Sequence, residues 1–399
     1  MVDALRATGV RTPEFRRLTG AWATSLVGDG VRTVALPLYT AISTRSPLAA
    51  SAVAVAMALP WLLVALPAGV LVDRWPPRRV VAVAHAFRAV VTALLALAVY
   101  TDRAGVALLC GCAFLLTAAE TFADTASQVL LVELAGPAEL EQANGRFVTV
   151  ETVGMDLVGP LAASALFWWQ PAACFALDAL TFVVAAYFVF RLPEVAPDRP
   201  PRTNLRAQLA EGAGFLFRSP ELRVLVVAVG VTAVCASAVN AMFALYAVTE
   251  LGLPPSAVPW LVVVLSLGAL AGARTSPALA ARFGVGPVMV GALVLLGAAF
   301  ALYGAVPLVS VGVVAVLLFG VASAGWNVLS ATRRQRLTPV PLMGRVSSAY
   351  RVLTWGLSPV GAAVAGPLAV STSLGAVYLV AGAATVITAT VLARPLMRT

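Results

Sequence analysis

Long apolar runs alternate with short polar breaks along this chain, and that alternation predicts its elements. Residues 48–71 and 80–100 are almost wholly apolar. Each is long enough to cross a hydrocarbon core of ~30 Å at ~1.5 Å per residue. Similar runs occur at about 18–42, 105–131, 146–168, 172–191, 221–249, 256–280, 285–304, 306–330, 346–369 and 373–393. The pattern predicts an all-α polytopic membrane protein of twelve spanning helices, with a short interfacial helix over Glu133 to Arg146. One long hydrophilic stretch, 193–219, is rich in Pro and Arg and divides the chain almost in half. The expected organisation is a six-helix half at 1–192, a cytoplasmic linker at 193–219 and a second six-helix half at 220–399.

The polar breaks set the topology. Between the second and third runs lies Gly69-Val70-Leu71-Val72-Asp73-Arg74-Trp75-Pro76-Pro77-Arg78-Arg79, a turn dense in positive charge. Short loops of this kind are retained on the cytoplasmic side, so both termini are expected there too. The chain is 60% hydrophobic and 11% charged, which excludes an ordinary soluble domain. A net charge of +9 could suit a polyanion. However, all 27 basic residues are Arg, and apart from Arg45 and Arg103 in outer loops and Arg32 inside a helix they fall in or near cytoplasmic segments. That is a topology bias and no nucleic-acid site.

Other chemistry is excluded by what is missing. With no Lys, neither a Walker-type phosphate loop nor a Schiff base can be built. His85 is the single His, so zinc motifs needing two are absent. Its position near the end of the third span reads as interfacial. Cys110, Cys112, Cys174 and Cys235 fall within spans and read as packing residues. No enzyme activity, cofactor or metal is expected, and no cleavable signal peptide ahead of the first span.

Several charges fall where charges are expensive. Asp29 lies twelve residues beyond Arg17, or ~18 Å along the helix axis, near mid-bilayer. A charge there costs ~2.5–3.5 kcal/mol on insertion scales, so it needs a partner or a purpose. Arg32, three residues on, shares its face. Arg88 in helix 3 and Asp124 in helix 4 come to the same depth and are an expected pair, with Glu120 as a competitor. Helix 5 carries Glu151 and Asp156; Asp178 is placed near the outer end of helix 6 and is set aside.

The pattern Gly69-x-Leu71-x-Asp73-Arg74-x-x-x-Arg78-Arg79 resembles the signature loop between helices 2 and 3 of the major facilitator superfamily of secondary transporters. It departs from the family at Trp75-Pro76-Pro77, a stiffer turn. Gly154-x-x-x-x-Gly159-Pro160 resembles the antiporter signature of drug-exporting members, with Ala162-Ala163 where Gly-Gly often follows. Phe15-Arg16-Arg17-Leu18, Gly28-Asp29-Gly30, Ala35-Leu36-Pro37-Leu38, the stretch Ala119 to Ala126 and Ala143-Asn144-Gly145-Arg146 are similar to the branch of enterobactin exporters and macrolide efflux proteins.

The resemblance implies two pseudo-symmetric halves, with helices 1, 4, 7 and 10 around a cavity. It implies a cytoplasmic gating loop of Gly69, Asp73, Arg74, Arg78 and Arg79, in which Gly69 allows close helix approach and the arginines pair with acids. In the antiporter signature Gly and Pro shape the helix at the interface between the halves. Asp29, Glu120, Asp124 and Asp156 become candidates for proton coupling, with Arg32 and Arg88 as charge partners. Asn240, Trp326 and Asn327 become candidate contacts to substrate. The implied function is proton-coupled export of an amphiphilic small molecule, a drug or secondary metabolite, by a monomer in a bacterial inner membrane, with the bilayer, protons and substrate as its partners. A dedicated siderophore exporter is the alternative and would require a basic cavity. A non-transporting receptor or assembly partner is the alternative of another class.

The halves also repeat. At an offset of 207, Leu36-Pro37-Leu38-Tyr39 meets Phe243-Ala244-Leu245-Tyr246 and Pro47 meets Pro254; at 199, Gly145-Arg146 meets Gly344-Arg345 and Pro160 meets Pro359. The acids do not repeat: Asp29 meets Ala236, Asp73 meets Ala280, Glu151 meets Tyr350 and Asp156 meets Trp355. Coupling chemistry is therefore expected in the first half, and shape and substrate surface in the second.

Overall fold

The computed structural model describes residues 9–72, 74–193, 205–339 and 342–397, and no strand occurs among them. The first half comprises α1 (Pro13–Thr44), α2 (Pro47–Leu63), α3 (Ala65–Val72), α4 (Pro77–Tyr100), α5 (Val106–Ala135), α6 (Leu140–Glu151), a π-helical segment (Thr152–Val158), α7 (Gly159–Trp169) and α8 (Pro171–Phe190). After it come α9 (Leu205–Arg218), α10 (Pro220–Thr249), α11 (Val258–Phe283), α12 (Val285–Ala305), α13 (Val309–Leu337), α14 (Met343–Trp355), α15 (Ser358–Ser371) and α16 (Leu374–Met397).

Ten helical segments among the described residues are long and apolar enough to cross a membrane. The remaining two spans of the twelve have visible reasons for falling short. In α1 the charges of Asp29 and Arg32 lower the hydropathy. Between α2 and α3 the helix breaks at Val64, because Pro67 has no N–H to give and its ring crowds the carbonyl of Leu63. Taken together, α2 and α3 run from Pro47 to Val72 and are long enough to span.

Proline places two further irregularities. Of the interfacial helix expected over Glu133 to Arg146, residues 133–135 end α5, Pro137–Glu139 form one 3-10 turn, and the rest is the first turns of helix 5, since α6, the π segment and α7 run on from Leu140 to Trp169. Gly145 within this run costs ~1 kcal/mol against Ala, too little to break it. The π turn ends just before Pro160, which widens the helix where the i→i−4 bond is lost. Likewise α14 and α15 part at Gly356-Leu357, ahead of Ser358-Pro359.

By contacts the chain forms two compact units. Among the described residues, the first takes the chain up to Leu36 and from Pro60 to Pro193, and the second takes Pro37–Leu59 and the chain from Leu205 onward. In the second unit the Ser51 hydroxyl donates to the Ala362 carbonyl, and a methyl on Gly366 would lie 2.6 Å from the Ser51 Cβ. The first unit has a core around Phe15, Leu18, Leu130, Phe147 and Val189; the second has one around Leu222, Leu225, Met289, Trp326 and Leu396.

Arginines close the last helix of each half. Arg78 donates to the Phe190 carbonyl at 2.6 Å and Arg17 to the Arg191 carbonyl at 3.2 Å, both at the C-terminus of α8. Arg333 donates to the Leu396 carbonyl of α16 at 2.9 Å. These carbonyls have no intrahelical partner and carry the negative end of the helix dipole, so a guanidinium satisfies both.

Candidate functional site: a buried carboxylate–guanidinium network

The network is built around three residues of α1, Gly28-Asp29-Gly30. On a helix of 3.6 residues per turn the two glycines face nearly opposite ways. A methyl on Gly28 would overlap the Thr181 hydroxyl and the Asp178 carboxylate of α8. A methyl on Gly30 would lie 2.6 Å from the Met155 carbonyl oxygen, and one on Gly159 would lie 2.5 Å from the Gly30 Cα. Each glycine thus seats a neighbouring helix against α1, as small residues do where membrane helices meet closely. Asp29 between them is held at the junction.

Four helices converge there. Arg32 of α1 donates through Nη2 to Asp29 Oδ1 at 2.7 Å and to Glu120 Oε2 of α5 at 2.8 Å. Arg88 of α4 hydrogen-bonds the same Asp29 Oδ1 and reaches Glu120 Oε2 at 3.3 Å. The Asp178 carboxylate stands 3.6 Å from Arg32 Nε. Burial is nearly complete, with relative exposures of 3% for Asp29, 1% for Arg32, 1% for Arg88 and 0% for Asp178. Glu120 is the outlier, its side chain 16% exposed. Arg88 also lies over the Phe182 ring at 4.0 Å, and His85, one turn back on α4, stacks on the same ring at 5.9 Å. On its opposite face α4 exposes Val83, Val90, Leu94 and Leu97, so one helix carries a lipid-compatible stripe and a charged core at once.

Desolvating two guanidiniums and their acids costs several kcal/mol per ion, and only close, multiple hydrogen bonds repay it. Such an arrangement is a poor way to add stability. It is a good way to hold acids whose charge is balanced by cations that can be released.

Several candidates are placed differently from expectation. Arg88 pairs with Asp29 and Glu120 and not with Asp124. Equal Cα depth does not fix the partner, because the Arg stem spans a whole helical turn of ~5.4 Å. Asp124 remains within electrostatic reach of Glu120, Arg88 and Glu151. Asp178 and His85, set aside from sequence, are both buried at the network, with His85 only 4% exposed. Seven residues into its helix, Asp178 looked peripheral by depth alone; the approach of Gly28 brings it in. Gly154 and Gly159 pack on α1 in their own half, whereas the resemblance put them between halves, and Asp156 projects away from them, exposed.

Trp326 is 2% exposed in the core of the second unit, so it is packing and not an open substrate contact. Asn240 and Asn327 are exposed. In the gating loop Gly69 meets nothing within 4 Å among the described residues, so close approach does not explain it there. Arg74 and Arg79 are exposed, Arg78 caps α8 where an acid was expected, and Asp73 lies outside the described residues. Among the described residues no group of three His, Cys, Asp or Glu is placed to hold a metal.

A family model, the Major Facilitator Superfamily, matches residues 21–363. The multidrug efflux pump Tap of Mycolicibacterium fortuitum is 29% identical over 377 residues, covering 89% of each chain. The enterobactin exporter EntS of Escherichia coli is 32% identical over 179 residues, 44% of this chain and 42% of its own. Among solved structures, the nucleoside transporter NupG superposes with a TM-score of 0.77 at 14% identity over 97% of this chain and 100% of its own. A bacterial homologue of the iron transporter ferroportin does so with a TM-score of 0.77 at 17% identity over 96% and 98%.

Proposed function

This chain belongs to the Major Facilitator Superfamily, and from that premise we propose that it is a proton-coupled exporter of an amphiphilic small molecule, cationic or neutral, working by alternating access. The family are transporters of small molecules and not enzymes. The proposal also places it in a bacterial cytoplasmic membrane with both termini inside, as the Arg-rich turn before α4 favours. Export is supported by the similarity to Tap over most of both chains.

The observation that carries proton coupling is the buried network of Asp29, Arg32, Arg88 and Glu120. Intramembrane ionisable groups that face one another inside a helix bundle mark ion and proton pathways. Protonating Glu120 or Asp29 loosens its guanidinium and hence the contact between α1, α4 and α5. The state of the acids is thereby tied to the packing of helices that alternating access must move. A potential of ~100 mV is worth ~2.3 kcal/mol per charge, a gradient of roughly fiftyfold for one proton exchanged per neutral substrate.

The sign of the charge favours the cargo class. Seven or more residues inside either end, the spans of the first half carry Asp29, Glu120, Asp124, Glu151, Asp156 and Asp178 against Arg32 and Arg88. A siderophore exporter is favoured by the EntS similarity, but an anionic catecholate would meet an excess of acids deep within the spans of this half.

The test uses protein in liposomes with a trapped pH dye, an imposed proton gradient and a panel of ethidium, a macrolide and a catecholate siderophore, with Asp29→Asn beside the parent. Compound-driven proton flux that Asp29→Asn loses supports the reading. Labelled compound crossing without proton flux would replace coupling with facilitated diffusion, and intact flux in Asp29→Asn would remove the network from the mechanism.

A further inference from the structure

Asp178 is the one fully buried acid of the cluster that the pairing scheme above leaves unused. Among the described residues neither of its carboxyl oxygens has a hydrogen-bond partner, and neither does Arg32 Nε, which faces it at 3.6 Å. The charged groups that act on it are Asp29 and Arg32 from α1, Arg88 from α4 and Glu120 from α5, while His85 of α4 stacks on Phe182 of α8, the helix of Asp178. The sequence of α7, which also packs on α8, contains no charged residue.

Charge balance decides its state. Two guanidiniums are matched by the Asp29 and Glu120 carboxylates. A third carboxylate, dry and without a hydrogen bond, would be an uncompensated ion costing several kcal/mol, whereas a neutral acid leaves only polar groups unmet, at ~1–3 kcal/mol.

The second half shows that packing does not require an acid here. At the offset of 207, Gly28 corresponds to Cys235, Asp178 to Thr385 and Thr181 to Thr388. Cys235 and Thr385 interact in the structure, so α10 and α16 meet through the same two positions as α1 and α8. The rest of the network is replaced as well: Arg32 by Val239, His85 by Ala292, Arg88 by Leu295 and Glu120 by Asn327.

Building on the proton-coupled reading, we propose that Asp178 is a second proton-binding carboxyl. It holds a proton while Arg32 is engaged by Asp29 and Glu120, and as a carboxylate it receives the Arg32 Nε–H when Glu120 is protonated. One O–H bond forms at Glu120 with a proton from water, and one breaks at Asp178, its proton returning to the aqueous side then open. Both guanidiniums stay charged, so the cluster's net charge is the same before and after. Glu120 is the entry point, at 16% side-chain exposure against 4% for Asp29 and 0% for Asp178. The exchange lets the helices move without an unbalanced charge in the bilayer.

The test begins with infrared spectra of the purified, substrate-free protein in lipid. A carboxylic-acid C=O stretch at neutral pH is expected, lost in Asp178→Asn and kept in Asp156→Asn, which leaves the cluster's charges untouched. Absence of the band from the parent, or its survival in Asp178→Asn, overturns the proposal. This readout needs no transport, so it is separate from failure of the coupling reading, which would show as a parent without compound-driven proton flux. In liposomes, Asp178→Asn is expected to bind ethidium within threefold of the parent and to lose at least tenfold of proton-driven ethidium transport; undiminished transport refutes the role. Should Asp178→Asn fail to fold, Asp178→Thr copies the residue that the second half accommodates, with the same expectations.

Discussion

Replacing Arg88 with Met keeps most of the side-chain volume and removes one of two buried cations. Asp29 and Glu120 would then share Arg32 alone, leaving one negative charge unmatched. If that charge stays, breaking a buried pair costs ~3–5 kcal/mol. If a carboxyl instead takes a proton at pH 7, the cost from an ordinary Glu value near ~4.3 is about 2.7 pH units at ~1.36 kcal/mol each, or ~3.7 kcal/mol. Loss of the cation–π contact to Phe182 adds roughly 0.5–2 kcal/mol. The two routes differ in pH dependence, which is what makes the variant informative. On the second route the folded variant binds one more proton than the unfolded chain. Its stability therefore rises by ~1.36 kcal/mol for each unit the pH falls between 7 and about 5, opposite in sign to ordinary acid denaturation. Arg88→Met/Glu120→Gln restores the balance and should recover most of the loss and return the pH dependence to that of the parent. A thiol-reactive dye reporting on the buried cysteines Cys112, Cys174 and Cys235 can follow unfolding in detergent. At ~2 °C or less per kcal/mol for a chain of this size, the single variant should melt up to ~10 °C below the parent at pH 7. A single variant as stable as the parent at pH 7, or a double variant no better than the single, would refute the charge-balanced network.

Gly30→Ala should disrupt the fold, because its methyl meets the backbone of Met155 at 2.6 Å, and the monodisperse fraction on size exclusion should collapse. Gly69→Ala has open space around it and should melt at or slightly above the parent temperature, with ~0.5–1 kcal/mol gained from helix propensity. Glu211→Gln breaks a 2.6 Å pair with Arg345 whose side chains are 50% and 41% exposed, so its effect on melting should correspond to under ~1 kcal/mol. Asp156→Asn removes an exposed acid away from the network; KM for ethidium should rise about two- to fivefold, as ~0.5–1 kcal/mol of charge attraction implies, while KM for a neutral macrolide should not change.

The fold was legible because a bilayer admits few solutions: runs of about twenty apolar residues must be helices, and arginine-rich breaks must be turns. What blurred the reading was local. Pro67, Pro160 and Pro359 move helix breaks and a π turn by residues that hydropathy averages over. At the site, Asp29 and Arg32 could be paired from their spacing on one helix, but Arg88 could not be assigned to Glu120, because contacts between helices depend on crossing geometry that no spacing encodes. Asp178 was the larger omission. Depth along its helix made it peripheral, although the match of Asp178-x-x-Thr181 to Thr385-x-x-Thr388 at the 207 offset was already in the sequence. Extending the repeat comparison to every charged position would have found it.

That comparison also bears on why the network sits in one half. If buried ions served to specify the fold, both halves would need them, since both build the same six-helix plan. The second half instead uses Cys235 with Thr385 where the first has Gly28 with Asp178, and aromatic packing among Tyr246, Tyr303 and Tyr378, with ring centroids 4.9–5.0 Å apart, as part of its core. Aromatic packing keeps its geometry at any proton concentration. A carboxylate–guanidinium cluster does not, because each proton gained releases a hydrogen bond that holds two helices together. On the proton-coupled reading proposed above, one half responds to protons and the other stays indifferent to them. A single gradient can then bias the transporter by acting on α1, α4, α5 and α8, leaving the second half free to vary in side chains suited to cargo. Grafting follows directly: Thr385→Asp should destabilise the protein, having no counterpart to Arg32 at Val239, whereas Asp178→Thr should leave melting within a few degrees of the parent and abolish coupling.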